Sequence, residues 1–131
     1  MLSVLYAHLV FVTRDRQPCI DATVAGLLSI YFVQVAGQEG VQILALGLVT
    51  THVHLLIRYR PTTSLPRLLQ RLKGGSAHLV THHHARALRW AKGYSLHSVS
   101  PRAVPAAAHY VLHQAERHPN QRIEGWPTGV A

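Results

Sequence analysis

Residues 51–58, with the sequence THVHLLIR, constrain the fold of this chain more than any other segment. In an extended strand, successive side chains point to opposite faces, so His52 and His54 share one face while apolar residues line the other. One face is suited to a hydrophobic core, and the other presents two imidazoles. These imidazoles can converge on one divalent cation, with a third ligand and open positions for substrate oxygens. Two hydrogen-bonded strand histidines without a metal are an alternative that this segment alone leaves open.

The charge balance favours a polyanionic partner. The 131 residues include 13 Lys plus Arg and 5 Asp plus Glu, which gives a formal net charge of +8. A domain this basic is expected to attract nucleic acid. Because the acids are scattered, the carboxylate clusters of two-metal nucleases and carboxylate-pair hydrolases are excluded, and histidine would have to hold any metal. The single cysteine, Cys19, excludes an intramolecular disulfide and a cysteine-based zinc site.

The length of the chain is suited to a single domain, residues 1–131, with its own hydrophobic core. Although 48% of the residues are hydrophobic, no run approaches the roughly 18–20 apolar residues of a membrane span. The first residues, MLSVLYAHLVF, continue into a strand-like pattern and lack the basic start and cleavage site of a signal peptide. These features predict a soluble, cytoplasmic protein that has no membrane partner.

Hydrophobic periodicity predicts the element order β, α, β, β, α, β, α. Strands are predicted at 5–13, 42–49, 52–60 and 94–99, and helices after Asp21, after the polar cap at 62–64 and at 106–117. The second and third strands are separated by two residues and should form an antiparallel hairpin. This order is typical of an α+β, ferredoxin-like antiparallel sheet covered by helices on one face, with an extra C-terminal helix.

Several basic side chains are candidates for contacts with phosphate. Arg14 and Arg16 lie in a polar turn after the first strand, which could hold a phosphate or be an ordinary solvated turn. In the helix after residue 64, Arg67, Arg71 and His78 recur at intervals of about one turn and form a basic stripe opposite the leucines. Such a stripe is usually a solvated face, but the excess of positive charge favours phosphate binding.

Motifs along the chain carry a resemblance to a known family. They are HVHLL at 52–56, LKG at 72–74 followed by Ser76, Trp90 with Gly93 and Tyr94, and Tyr110 with Gln114 four residues later. In this order and spacing, in a basic chain of this size, they resemble the single-tyrosine HUH transposases of small bacterial insertion sequences. The relatives associated with repetitive extragenic palindromes are similar. The resemblance spans about residues 5–117, and VTRDRQP after the first strand also agrees with the start of the family.

The resemblance implies a DNA transposase, an endonuclease that cleaves and rejoins single-stranded DNA through a 5′-phosphotyrosine. Carried over to matching positions, Tyr110 would be the catalytic nucleophile, and His52, His54 and Gln114 would bind a divalent metal, Mg²⁺ or Mn²⁺. The candidates for DNA binding are Arg14, Arg16, Arg67, Arg71, Lys73 and His78. The implied partners are single-stranded DNA with hairpin ends and a second copy of the chain, in a homodimer whose active sites are shared between subunits.

Departures from the family pattern leave a second function open. Thr51 stands where the family often has an acidic or amide residue before the first histidine, which leaves open how His52 is oriented. After Lys73 this chain has Gly-Gly-Ser where a serine-rich run is expected, and it has His78 where an arginine is expected. The alternative is a catalytically degenerate or domesticated protein that binds single-stranded nucleic acid on the same fold.

Overall fold

Four strands form one antiparallel sheet in the computed structural model, which describes residues 3–127. The strands are β1 (Leu5–Val12), β2 (Gln42–Val49), β3 (His52–Tyr59) and β4 (Ser95–Val99), in the spatial order β2-β3-β1-β4. The α-helices are α1 (Ala22–Gln38), α2 (Leu65–Gln70), α3 (Ser76–His78), α4 (Val104–Leu112) and α5 (Gln114–Arg117). π-helical turns follow α2 at Arg71–Gly75 and α3 at Leu79–His83. The predicted α+β, ferredoxin-like sheet is confirmed.

Side-chain caps explain where the predicted helices begin. Asp21 Oδ1 accepts a hydrogen bond from the Val24 N–H at 2.8 Å, and Ser64 Oγ accepts one from the Arg67 N–H at 3.3 Å. Each contact satisfies an N–H group that the first turn of a helix leaves unpaired. After α1 the chain turns at Gly40, whose φ of +72° is a conformation that glycine adopts without a steric penalty.

Successive side chains of β3 point to opposite faces of the sheet, and each face has its own apolar cluster. Val53, Leu55 and Ile57 are buried in the larger cluster, together with the apolar faces of α1 and α2. Leu56 belongs to a smaller cluster on the other face, where Val111 of α4 covers it. Because α4 packs on this second face, His52 and His54 are each only 6% exposed. The predicted division of β3 is confirmed, and its histidine face is covered as well.

The C-terminal helix differs from the predicted continuous helix at 106–117. Pro105 lies within the first turn of α4, where its missing N–H would be unpaired in any case. The helix then breaks at His113, whose φ of −108° and ψ of 29° are not helical, and α5 begins at the next residue. Tyr110 therefore lies in α4 and Gln114 in α5. Gln114 Nε2 still donates to the backbone oxygen of Tyr110 at 2.9 Å, so the two side chains remain neighbours.

The segment after α5 adds contacts that no sequence periodicity predicted. A 3-10 turn at Pro119–Gln121 returns towards the sheet, and the Thr50 N–H donates to the Gln121 backbone oxygen at 2.8 Å. Ile123 is buried in the larger cluster, and Trp126 packs against the same cluster. The C-terminal part of the described chain is thereby joined to the turn between β2 and β3.

Gly47 of β2 allows α4 to approach the sheet closely. A Cβ atom at this position would overlap the backbone oxygen of Val111 and would lie 3.3 Å from Cγ of Gln114. Gly37 in α1 has nothing within 4 Å of its virtual Cβ and offers a matched control.

We expect Gly47→Ala to displace α4 and to lower the free energy of unfolding by about 1–3 kcal/mol, because the added methyl group overpacks the contact. Gly37→Ala should be neutral or stabilising by up to about 1 kcal/mol, since alanine is the better helix former. Urea unfolding of both variants measures the difference. Equal effects of the two substitutions would contradict the close contact.

Candidate active site

His52 and His54 lie side by side on β3, beneath α4 and α5, with their ring centroids 5.1 Å apart. The ring of Tyr110 from the same chain packs edge-on against His54 at a centroid distance of 5.7 Å. Gln114 is completely buried and lies beside His52. The structure thus brings together the four residues that the family resemblance assigned to chemistry, although they come from three different elements.

A neighbouring side chain holds the Nδ1 atom of each imidazole. His52 Nδ1 lies 3.0 Å from Thr51 Oγ1, and His54 Nδ1 lies 2.8 Å from His8 Nε2. In metal sites, a contact at one ring nitrogen orients the ring and leaves the other nitrogen to bind the ion. Thr51, at the position where the family pattern differs, therefore does contact His52. Sequence reasoning missed His8, because only the pairing of β1 with β3 places it next to His54.

Gln114 provides an unpaired acceptor next to the imidazoles. Its Oε1 atom is buried and has no hydrogen-bond partner among residues 3–127. A buried acceptor without a partner costs about 1–3 kcal/mol, so its retention calls for a ligand. Two imidazole nitrogens and one amide oxygen are donors that suit a divalent cation such as Mn²⁺. In the same described range, no group of three or more His, Cys, Asp or Glu side chains could hold a metal, so a metal here would need Gln114.

The environment favours the neutral form of both imidazoles. The pKa of His52 is lowered to about 4, chiefly by burial and also by the nearby His118, while a contact with the side chain of Gln114 acts in the opposite direction. The pKa of His54 is lowered to about 3, chiefly by burial and also by His52 and His8. Since metal ions bind the neutral ring, protons would not compete for these ligands near neutral pH.

Tyr110 is partly exposed and is surrounded by basic side chains. Its ring packs edge-on against His8 at 5.6 Å, and the guanidinium carbon of Arg117 lies 4.8 Å from the ring centroid. Arg117 thus makes a cation–π contact with the ring. Arg117 was not singled out in the sequence, although it follows Tyr110 by seven residues, which is about two helical turns.

Arg14 and Arg16 are exposed in the turn that follows β1. Asp15 and Arg16 have φ values of 55° and 51°, which are uncommon for residues other than glycine and are often found at functional sites. Arg16 also lies close enough to His52 to contribute to the lowering of its pKa. The turn is thus next to the histidines, which is where a phosphate-binding role would require it.

Glu39 partly neutralises the basic stripe formed by Arg67, Arg71 and His78. Arg71 Nη1 lies 2.8 Å from one carboxylate oxygen of Glu39, and Arg67 Nε lies 3.2 Å from the other. Arg71 Nη2 also donates to Gln38 Oε1 at 2.6 Å. These contacts hold α2 against the end of α1.

His78 is exposed and lies against His82, with ring centroids 4.6 Å apart. Phosphate binding by the stripe stays a prediction.

Lys73 lines an open cleft of about 490 Å³. The cleft lies on the surface between the π-helical turn at Arg71–Gly75 and the loop before β4. Its ammonium group donates to the backbone oxygens of Ala91 and Gly93 at 2.8 and 2.7 Å. Arg14, Arg89 and Lys92 line the same cleft. We call these four cations, Arg14, Lys73, Arg89 and Lys92, the basic cleft. Sequence reasoning missed Arg89 and Lys92 because they lie in a loop without periodicity, beside the Trp90 motif.

Solved structures with the same fold include a candidate transposase and a REP-associated transposase. A crystal structure of a Deinococcus radiodurans protein, described as a candidate transposase, is 25% identical with a TM-score of 0.66, over 94% of this chain and 95% of that chain. A REP-associated tyrosine transposase solved with a REP hairpin has a TM-score of 0.72 at 14% identity, over 98% of this chain and 77% of that chain. Within residues 3–127, no helix is long and apolar enough to cross a membrane.

The sequence matches a family model as well. The model described as "Transposase IS200 like" matches residues 1–114. The chain therefore belongs to the IS200-like transposase family, as the motifs indicated. It is also 30% identical over 70 residues to the ISDra2 transposase TnpA of Deinococcus radiodurans, a match that covers 53% of this chain and 50% of that protein. The chain thus spans about half the length of this curated relative.

We expect the stability of the protein to fall on acidification. In the unfolded chain both imidazoles should titrate near pH 6.5, whereas in the folded chain the pKa values are about 4 for His52 and 3 for His54. Below pH 6.5 the unfolded state therefore binds more protons, so the free energy of unfolding decreases as the pH falls and is least affected above pH 6.5. Urea unfolding at pH 7.5, 6 and 5 measures this slope.

Two histidine substitutions identify which side chains cause the dependence of the free energy of unfolding on pH. His54→Gln should flatten it, while replacement of the exposed His84 by Gln should leave it as in the wild-type protein. A wild-type stability that does not change between pH 7.5 and 5 would contradict the burial of neutral imidazoles.

Proposed function

We propose that this protein is a metal-dependent tyrosine transposase that cleaves and rejoins single-stranded DNA through a 5′-phosphotyrosine intermediate. The observation that carries the proposal is the convergence, within one chain, of Tyr110 with the buried side chains of His52, His54 and Gln114. Membership of the transposase family supports DNA strand transfer as the class of reaction. The cytoplasm, where such a substrate would be found, is the expected place of action.

The proposed metal site would use Nε2 of both histidines and Oε1 of Gln114. Mg²⁺ or Mn²⁺ bound there would polarise the scissile phosphate. Contacts at Nδ1 hold both imidazoles in place, so little reorganisation would be needed on binding. The unpaired Oε1 of Gln114 supports this assignment, because the donor set is otherwise one ligand short.

Tyr110 would act as the nucleophile. Its oxygen attacks phosphorus, the bond from phosphorus to the 3′ oxygen breaks, and the proton lost by the phenol balances the one gained by the departing 3′-hydroxyl. One phosphate ester replaces another, so the reverse attack by a 3′-hydroxyl rejoins DNA without ATP. Arg117 beside the Tyr110 ring would stabilise the negative charge on the phenol oxygen.

Hairpin ends in single-stranded DNA are the proposed substrate. The REP-associated relative was solved with a REP hairpin, which supports hairpin recognition on this fold. For this chain we propose that the basic cleft contacts the phosphate backbone, since Arg14, Arg89 and Lys92 form no ion pair among the described residues. Arg16, in the turn beside His52, would hold the phosphate nearest the site. The ion-paired basic stripe would contribute less.

We further propose that each site is completed within one chain. Contacts of Tyr110 with His8 and His54, and the close approach of α4 to Gly47, support this arrangement. The homodimer with shared sites that the family resemblance implies is the competing assembly. In that assembly, Tyr110 would have to leave its own histidines and reach those of the partner.

Tyr110→Phe should abolish the covalent protein–DNA adduct because it removes the attacking oxygen. The affinity for DNA should stay within about twofold, since one hydroxyl contributes little to phosphate-dominated binding. Adducts are measured by denaturing gel electrophoresis with labelled single-stranded hairpins and Mn²⁺, with Tyr59→Phe as control. An adduct that persists in Tyr110→Phe would contradict the assignment. Hairpin binding without any adduct in the wild-type protein would support the binding-only alternative.

Mixing His52→Ala with Tyr110→Phe chains then distinguishes the two assemblies. Sites completed within one chain stay inactive in the mixture, because each chain keeps its own defect. Shared sites would regain cleavage at about a quarter of the wild-type site number after random exchange of subunits. Recovery of that size would contradict our proposal and restore the shared homodimer.

Replacing both Arg89 and Lys92 with glutamine should weaken binding to single-stranded DNA. The slope of log K against log salt concentration should decrease by about 1.4, because about 0.7 counterion is released for each phosphate contact. The double variant Arg67→Gln and Arg71→Gln removes the same charge but should change the slope less, since Glu39 already pairs with both side chains. Fluorescence anisotropy from low to high salt measures both slopes. A larger change for the basic stripe would contradict the role of the basic cleft.

A further inference from the structure

Thr51 and Gln121 form a polar contact beside His52 that the proposed chemistry does not use. The hydroxyl of Thr51 donates to Gln121 Oε1 at 3.0 Å, and the same hydroxyl oxygen lies 3.0 Å from His52 Nδ1. Thr51 is only 5% exposed, so water competes little for these contacts. The three groups thus form a chain of hydrogen bonds from the C-terminal segment to the ring of His52.

The direction of these hydrogen bonds determines which nitrogen of His52 carries the proton. A threonine hydroxyl has one proton to donate, and here Gln121 accepts it. Towards His52, the hydroxyl oxygen can then only accept, so this contact favours the neutral ring with its proton on Nδ1. Nε2 is left with its lone pair, which is the form that a metal ion requires.

We propose that Gln121, acting through Thr51, is a positioning residue that holds His52 in the tautomer with the proton on Nδ1. The link to metal binding rests on the proposed function, whereas the tautomer itself does not. Gln121 lies 70 residues further along the chain than Thr51, so the fold and not local sequence brings it to this position.

Backbone hydrogen bonds hold Gln121 in place. Its carbonyl oxygen accepts from the Thr50 N–H at 2.8 Å, and its N–H donates to the His118 backbone oxygen at 2.9 Å. The ring of His118 packs edge-on against His52 at a centroid distance of 5.0 Å. The 3-10 turn thus contacts the β2–β3 turn, and His118, directly before it, contacts the ring of His52, which favours positioning over an accidental surface contact.

Long-range ¹H–¹⁵N correlation spectra of the metal-free protein at pH 7.5 test the tautomer directly. His52→Gln identifies the His52 signals. In the wild-type protein we expect a protonated Nδ1 and an unprotonated Nε2. Thr51→Val and Gln121→Leu should shift the population towards the other tautomer, whereas Thr51→Ser and Gln121→Glu, which keep the hydroxyl and the acceptor, should preserve it. Thr50→Val removes a neighbouring hydroxyl with no hydrogen bond to His52 and should change nothing.

Mn²⁺ affinity, measured by calorimetry without DNA, provides the second readout. Thr51→Val and Gln121→Leu should weaken binding about tenfold, and the conservative variants should bind as the wild-type protein does. Thermal melting verifies that each variant is folded. A wild-type His52 protonated on Nε2, or a tautomer unchanged in Thr51→Val, would overturn the inference. The expected tautomers without Mn²⁺ binding would uphold the positioning and refute the proposed metal site.

Discussion

The contact between α4 and the histidine face of the sheet is the interaction on which the proposed site depends. It removes His52 and His54 from water, and this burial is the main reason why both rings stay neutral. The contact is possible because β2 has a glycine where the backbone of α4 passes. The same helix brings Tyr110 to His54, so one packing interaction sets both the charge of the two imidazoles and the position of the proposed nucleophile.

The larger part of the fold could be predicted because its signals are local. Alternation in residues 52–59 predicted which side chains of β3 enter the core, and Asp21 marked the start of α1. Helical spacing predicted that Tyr110 and Gln114 lie close together, which is correct. It did not predict the break at His113, since the sequence near that residue contains neither glycine nor proline.

Contacts between distant residues could not be predicted from one sequence. The basic stripe was predicted from its charge and spacing, but Glu39 approaches it from the end of another helix. His8 became visible as a partner of His54 only through the register of β1 and β3. Gln121 lies in a segment without periodicity, so nothing in its surroundings indicated a role. In each case the missing information was tertiary geometry, which local spacing does not contain.

The order of the site residues along the chain has a consequence for biosynthesis. The four strands and α1 to α3, which contribute most of the larger core, precede α4 in the sequence. A chain emerging from the ribosome could therefore form most of its sheet while the histidine face is still uncovered. Tyr110 and Gln114 are translated later. A nascent chain with a partly formed fold would then lack the proposed nucleophile, so the proposed cleavage of DNA would have to wait until α4 and α5 had been made.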